Sequence, residues 1–259
     1  MSSKTPLPDY GEDYRTVYEH RLEGAYERPL AEVLRYRLER LPRWLATKRL
    51  GSEARLLDVG CATGYLLELL HGLGYRHLEG IDVSAEMLAR ARARLPDEVV
   101  LHHGPAAAVL AGSADSSYDG IFLHHVIEHV PRAEIVPLLA ELRRVLAPGG
   151  WLGLRTPNAS CLLAGALVHG DITHVTPLSE WAILQALELA GFDPDSVEVL
   201  LHPPRLYWSW SAPVRAGARF LNRLRWHGGR LLDRSVCVLL DVRPRPRSGE
   251  PELEMIARR

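Results

Sequence analysis

From Ala54 to His202, short β-rich runs alternate with helix-prone stretches, and this alternation constrains the fold more than any other feature of the chain. The runs are ARLLDVG, HLEGIDV, VVLHH, YDGIFLHH, WLGLRTP and SVEVLLH. Between them lie YLLELLHGLG, SAEMLARARARL, PLLAELRRVL and SEWAILQALELAG. Strands that are apolar on both faces and separated by amphipathic helices imply a parallel sheet covered on both sides. The expected architecture is a doubly wound α/β domain, with its ligand at the carboxyl ends of the strands.

Composition supports a single sizeable core: 259 residues, 47% hydrophobic and 24% charged. A formal net charge of −1 creates no global field that would recruit nucleic acid or membrane. The start, MSSKTPLPDYGEDY, lacks the apolar core of a secretory signal, and no apolar run approaches the about 18 residues of a membrane span. Cys61, Cys161 and Cys237 are widely spaced and odd in number, which fits neither a disulfide framework nor a zinc knuckle. A reducing, cytoplasmic setting is therefore expected.

The first strand ends in LLDVGCATG. Asp58 stands two residues before Gly60, and Gly64 closes the turn where the next helix begins, so backbone can approach a ligand closely there. Glycine-rich turns of this kind often hold pyrophosphate. Here no Gly-Lys-Ser/Thr follows, and the Asp58 carboxylate would repel an anion while suiting an ammonium group. Eighteen residues beyond Gly64 the second strand finishes in GIDVS, which places Asp82 to accept hydrogen bonds from a ribose diol. The implied ligand is an adenosine with an ammonium-bearing tail.

At this point the chain resembles the class I S-adenosylmethionine-dependent methyltransferases. The resemblance covers roughly residues 54 to 202 and the final ELEMIARR. It rests on the set DVGCATG, GIDVSAEML, SSYDGIFLHHVIEHV, RRVLAPGGWLGLRTPN and THVTPLSEWAILQALELAGF rather than on any one member. It implies a Rossmann-like seven-stranded sheet, mostly parallel with an antiparallel last strand. It also implies that Asp58, Gly60, Ala62 and Gly64 surround the methionine part of S-adenosylmethionine, that Asp82 holds the ribose, and that Val83 lies against the adenine. Gly104, ending the third strand, and the backbone carbonyl of His124 complete the implied cofactor set. Two departures stand out: Ala62 replaces the usual middle glycine, and Pro105 stands where an acidic residue often follows Gly104.

The stretch FLHHVIEHV, residues 122–130, falls at the carboxyl end of the fourth strand, on the side of the transferred methyl. A sulfonium methyl is already electrophilic, so alignment supplies much of the rate and the remaining task is to deprotonate an incoming hydroxyl. A histidine near neutral pKa suits that task, and His125, His129 and His174, the last from DITHVTP, are the candidates. The bland reading gives Glu128 and His129 a loop-fixing role, with the Glu128 carboxylate accepting backbone N–H groups. The sharper alternative is a divalent ion held by His125, Glu128, His129 and His174. That spacing resembles the metal-dependent 2′-O-methyltransferases of small RNA and the ubiquinone-pathway O-methyltransferases, where a glutamate normally occupies the position of His125. H-x-x-E-H also matches an inverted zinc-protease signature, which needs a long helix that the methyltransferase frame denies.

The expected organisation is a helical cap over residues 1–50, a cofactor-binding catalytic domain over 51–202 and 251–259, and a basic helical insertion over 203–250. Tyr10, Tyr14 and Tyr18 share one helical face of the cap. From Arg205 to Arg247 there are ten arginines and two acidic residues. PVRAGARFLNRLRW puts Val214, Ala218, Leu221 and Leu224 on one face and Arg215, Arg219 and Arg223 on another. Such a helix suits peripheral membrane contact or an anionic substrate. A packed lid is favoured, with Tyr207, Trp208 and Trp210 as walls of the acceptor pocket, because two lysines against 29 arginines make arginine a habit of the whole chain.

The function expected is methyl transfer from S-adenosylmethionine to a hydroxyl oxygen of a small, sugar-linked or lipid-linked metabolite, with nitrogen and carbon acceptors as alternatives. A nucleic-acid substrate is not expected, because neither a stacking motif nor a broad basic groove is evident. Two other classes stay open: a nicotinamide-dependent oxidoreductase using the same turn, and a non-catalytic docking module that binds cofactor.

Overall fold

A computed structural model of the chain describes residues 50–161, 165–200 and 252–259. Its seven strands form one sheet in the order β3-β2-β1-β4-β5-β7-β6. The expectation of a mostly parallel sheet with an antiparallel last strand is borne out. The cap, its three tyrosines and the insertion with Tyr207, Trp208 and Trp210 lie outside the described residues. The chain divides into two compact units, residues 1–113 and 114–259.

The first unit carries β1 (Arg55–Val59), α1 (Tyr65–Gly72), β2 (His77–Asp82), α2 (Ala85–Arg92), β3 (Val100–His103) and α3 (Ala106–Ala111). β1 pairs in parallel with β2, and β2 with β3. Leu56 and Leu57 are adjacent in β1 and both fully buried, as a strand covered on two faces requires. α1 buries Leu66, Leu67, Leu69 and Leu70 at helical spacing. α2 starts at Ser84, whose hydroxyl accepts the Met87 N–H, and it carries Glu86 in its first turn and Arg90 and Arg92 in its last. α3 was not evident in the sequence: AAAVLA is six residues long and buries only Leu110.

The second unit carries β4 (Tyr118–His124), α4 (Arg132–Val145), β5 (Leu146–Pro157), α5 (Gly165–His169), α6 (Glu180–Leu189), β6 (Glu198–Leu200) and β7 (Glu252–Arg258). β4 and β5 are parallel, and β7 runs antiparallel to both β5 and β6. α4 begins five residues before the Pro137 at which the sequence reading started it, because Pro131 serves as its N-cap. Gly120 allows the closest packing in this unit: a Cβ there would meet the Trp151 ring at 2.3 Å. That ring in turn makes an edge contact with Phe122, at 5.0 Å between centroids. The Arg259 guanidinium bonds the carbonyls of Arg144 and Leu146, which the end of α4 leaves without helical partners.

Candidate active site

The turn after β1 is built by left-handed backbone at three residues, Gly60 (φ 74), Ala62 (φ 45) and Gly64 (φ 77). At Gly64 the requirement is double, since a Cβ would also stand 2.7 Å from Leu95 Cδ1. Ala62 has no such freedom, and the left-handed well costs an L-residue about 1–2 kcal/mol. What holds it there is Asp82: Oδ2 accepts the Ala62 N–H at 2.8 Å, while Oδ1 accepts the Ser84 N–H at 2.8 Å. Burial holds the Asp82 carboxyl above the usual 3.8, against the opposing pull of these amides. Asp58 is buried at the end of β1. The Cys61 thiol is pushed up by burial, with the Asp58 and Asp82 charges adding to the effect, so it stays protonated and is no nucleophile.

Around the same turn Val83 stands half exposed and Gly104 takes φ 143, its N–H donated to the Asp82 carbonyl at 3.0 Å. Thr63 was missed by the sequence reading. Its hydroxyl is buried in the turn without a hydrogen-bond partner.

In the second unit, β4 ends at His124, whose ring edge meets Phe122 at 5.5 Å. His125 then turns the chain in the left-handed region (φ 55), its N–H donated to the Arg155 carbonyl at 2.8 Å. The short 3₁₀ turn Ile127–His129 follows. Here Glu128, His129 and His174 come together, with one ligand atom from each lying within 4.8 Å of the others.

His125 stands outside that group of three. Its Nδ1 lies 3.3 Å from Glu128 Oε1 and its Nε2 lies 3.5 Å from Glu252 Oε1. Arg155 lies between Glu252 and Glu254, at 3.5 and 3.6 Å. His125 thus bridges two carboxylates rather than joining the other two imidazoles.

The buried Glu128 carboxylate accepts the Thr156 hydroxyl at 3.0 Å on Oε2. It is the Glu128 backbone carbonyl that ties the loop, accepting the Thr176 N–H at 3.0 Å. Burial raises the Glu128 carboxyl, but the His125 hydrogen bond and neighbouring charge outweigh it and hold the group below the usual 4.5.

The tautomer of His129 follows from its partners. Nδ1 lies 3.1 Å from the Thr173 carbonyl and 3.0 Å from the Thr173 hydroxyl, and that hydroxyl donates its proton to Asp171 Oδ1 at 2.6 Å. Both partners of Nδ1 therefore accept, so Nδ1 carries the hydrogen and the neutral ring has its lone pair on Nε2. Burial lowers the His129 pKa, Glu128 raises it and His174 lowers it, for a net position below the usual 6.5. His174 is fixed in the same sense, its Nδ1 donating to the Val168 carbonyl at 3.3 Å, and the two rings meet edge to face at 4.8 Å. Asp171 and Thr173 were missed in the sequence, although Asp-x-Thr is an Asx-turn signal that would have found them. Thr156, Arg155 and Glu252 gave no signal, because strand register alone brings them here.

A family model described as a methyltransferase domain matches residues 20–197. The chain belongs to this methyltransferase family. Among curated relatives, the chain is 31% identical over 148 residues to a probable S-adenosylmethionine-dependent methyltransferase of Mycolicibacterium smegmatis, covering 57% of this chain and 55% of that one. It is 32% identical over 133 residues to a ubiquinone biosynthesis O-methyltransferase of Thiobacillus denitrificans, covering 51% and 54%. The chain thus spans about half the length of the curated relatives it matches. Among solved structures, a SAM dependent methyltransferase from Archaeoglobus fulgidus superimposes with a TM-score of 0.65 at 20% identity, covering 95% of this chain and all 100% of the other. The 1,6-didemethyltoxoflavin-N1-methyltransferase of Burkholderia thailandensis, solved with S-adenosylhomocysteine, gives 0.54 at 15%, covering 100% and 93%. These two likenesses concern the fold.

Proposed function

We propose that the chain transfers a methyl group from S-adenosylmethionine to a hydroxyl oxygen of a small molecule, with His129 as the base. The observation that carries the base assignment is the tautomer of His129, a half-buried imidazole whose pKa is lowered and whose Nε2 bears the lone pair. Oxygen as the acceptor atom is supported by the O-methyltransferase names of relatives such as that of Thiobacillus denitrificans.

The residues of the turn fit the cofactor. Two carboxylates, Asp58 and Asp82, border left-handed backbone that keeps side chains out of the way, and the buried Thr63 hydroxyl awaits a partner. The Asp58 carboxylate buried beside the turn would repel a diphosphate, which speaks against the nicotinamide reading. Val83 offers an apolar face beside the ribose-binding position assigned to Asp82. Bound S-adenosylmethionine supplies a methyl already activated by its sulfonium. The chain's own residues then have one proton to manage.

His129 Nε2 accepts the proton of the acceptor hydroxyl, Thr173 holds the ring through Nδ1, and the ionised Glu128 stabilises the imidazolium that forms. His174 sets the polar wall beside it. His129→Ala is expected to lower kcat by roughly 10²–10⁴-fold while leaving S-adenosylhomocysteine affinity nearly unchanged. An acceptor panel scored by methyl mass gain provides the assay, and full turnover by the variant removes the base.

A second reading has its own observation. Glu128, His129 and His174 offer one carboxylate and two imidazole nitrogens, a donor set suited to a divalent ion, and each ring already donates Nδ1–H to a carbonyl as metal-bound histidines do. Such an ion would supply Lewis acidity toward the acceptor oxygen. Activity that survives exhaustive chelation excludes it; activity restored by a divalent ion favours it over the base.

A further inference from the structure

The segment 170–176, GDITHVT, turns its hydroxyls inward: Thr173 is 5% exposed and Thr176 3%, while Ile172 faces water at 85%. Two bonds seat the segment on the 3₁₀ turn that carries His129. The Thr176 N–H donates to the Glu128 carbonyl at 3.0 Å, and the Thr176 hydroxyl donates to the Val130 carbonyl at 2.7 Å. Neither bond involves Asp171. What Asp171 does is therefore separable from how the segment is seated.

Asp171 Oδ1 accepts two protons from one residue, the Thr173 N–H at 2.9 Å and the Thr173 hydroxyl at 2.6 Å. An ionised carboxylate only accepts, so the direction of both bonds is fixed. A hydroxyl has a single proton to give. With that proton committed to Asp171, Thr173 Oγ1 meets His129 Nδ1, 3.0 Å away, with a lone pair. The Thr173 carbonyl, 3.1 Å from the same nitrogen, also accepts. In the other tautomer Nδ1 would turn its own lone pair toward two acceptors in a half-buried place and lose both bonds.

We infer that Asp171 is a positioning residue of the His129 site: by taking the Thr173 hydroxyl proton it commits His129 to the Nδ1–H tautomer and leaves the lone pair of the ring on Nε2. The inference rests on His129 Nε2 as the working atom, and the tautomer is set in the same way whether that atom takes a proton or holds a divalent ion. Without the Asp171 carboxylate, the Thr173 hydroxyl proton is released and can rotate toward Nδ1. The Nε2–H tautomer then gains a hydrogen bond that it lacked. The Thr173 carbonyl still favours Nδ1–H, so the outcome is a mixture rather than a reversal. Removing the Thr173 hydroxyl as well takes away the competing donor, and the carbonyl alone returns the ring to Nδ1–H. The second lesion thus repairs the first, which a merely structural role for Asp171 does not predict.

The test uses the full chain with histidine rings labelled with nitrogen-15, at about pH 8 so that the imidazoles are neutral. Long-range proton–nitrogen NMR correlations distinguish a protonated ring nitrogen from a bare one, and the His129 signals are those lost in His129→Gln. The parent should show Nδ1–H, and so should Asp171→Asn, whose side-chain carbonyl still accepts the hydroxyl. Asp171→Ala should move the tautomer ratio toward Nε2–H by roughly fivefold, the equivalent of one neutral hydrogen bond. Thr173→Val alone and the double variant Asp171→Ala/Thr173→Val should both show Nδ1–H. His174, whose Nδ1 donates to the Val168 carbonyl at 3.3 Å outside this chain of bonds, should stay unchanged throughout. An unmoved His129 in Asp171→Ala overturns the proposal, as does a shift toward Nε2–H in Thr173→Val or in the double variant. A His174 ring that shifts together with His129 makes Asp171 a general support of the segment and also overturns it. So does an Asp171→Asn variant that behaves like Asp171→Ala, which would assign the effect to charge. Failure of the methyl-transfer reading shows elsewhere, in the mass-gain panel, and leaves the tautomer pattern as it stands.

Discussion

Asp82→Ala tests the first unit's turn most directly. The carboxylate accepts two backbone N–H groups at 2.8 Å, from Ala62 and from Ser84. Hydrogen bonds to a charged group contribute about 1.5–3 kcal/mol each. Both sites are only partly buried, so the released amides find water and the combined loss falls at about 3–4 kcal/mol. Against this, Ala62 leaves its left-handed well (φ 45), recovering about 1–2 kcal/mol. The net destabilisation is about 2 kcal/mol, or about 4–8 °C in Tm for a chain of this size. Ala62→Gly should do the opposite and stabilise by about 0.5–1 kcal/mol, since glycine adopts this φ freely but gives back part of the gain as backbone entropy. The decisive measurement is a urea-unfolding cycle of the two single variants and the double. If Asp82 is what enforces the strain, Ala62→Gly gains less in the Asp82→Ala background. Additivity within about 0.5 kcal/mol would refute that reasoning. Calorimetric titration with S-adenosylhomocysteine should show affinity lower by about 1–3 kcal/mol in Asp82→Ala, and unchanged affinity would remove Asp82 from the cofactor set.

His125 bridges Glu128 through Nδ1 and Glu252 through Nε2, so its two amide analogues separate the two contacts. Asn places its N–H₂ where Nδ1 stands and tolerates φ 55, so His125→Asn should keep most of the turnover. His125→Gln keeps only the reach toward Glu252 and should lose about tenfold or more in kcat with the cofactor KM unmoved. Equal activity of the two variants would discard the bridge. Asp171 titrates in a defined window: burial raises its carboxyl, but the Thr173 hydroxyl and N–H outweigh this and hold it below the usual 3.8. The native state thus binds this proton more weakly than the unfolded chain. The stability it contributes is present above pH 3.8 and is lost as pH falls through the lowered value. Asp171→Asn should therefore be less stable than the parent at neutral pH and converge with it in acid, as followed by urea unfolding at a series of pH values.

The relation of sequence to site differs between the two units. The turn of the first unit was legible because its parts are local or tied to strand ends. Gly60, Gly64 and Asp82 sit where left-handed backbone and a β2 terminus demand them. Even the departure at Ala62 was visible as a letter, though not the strain it carries. The second unit was legible only in its histidines and Glu128. The sequence placed His125 with the metal or base candidates because H-x-x-E-H gives it the same spacing as its neighbours. It could not show that His125 takes a positive φ with its ring beside Glu252, a β7 residue more than a hundred positions away in the chain.

By itself the sequence determined the parallel sheet, the order of its elements and the chemical type of the cofactor turn. Those depend on hydrophobic period, on glycine's backbone freedom and on the charge beside a turn, all of which act over a few residues. Only tertiary structure decided which imidazole turns Nδ1 toward acceptors, which bridges two carboxylates, and which face of the segment 170–176 meets water. Each of these depends on hydrogen-bond partners and burial contributed by β5, β7 and the loop before α6. Strand register and long-range packing bring those together, and neither is written in the local spacing of the residues concerned.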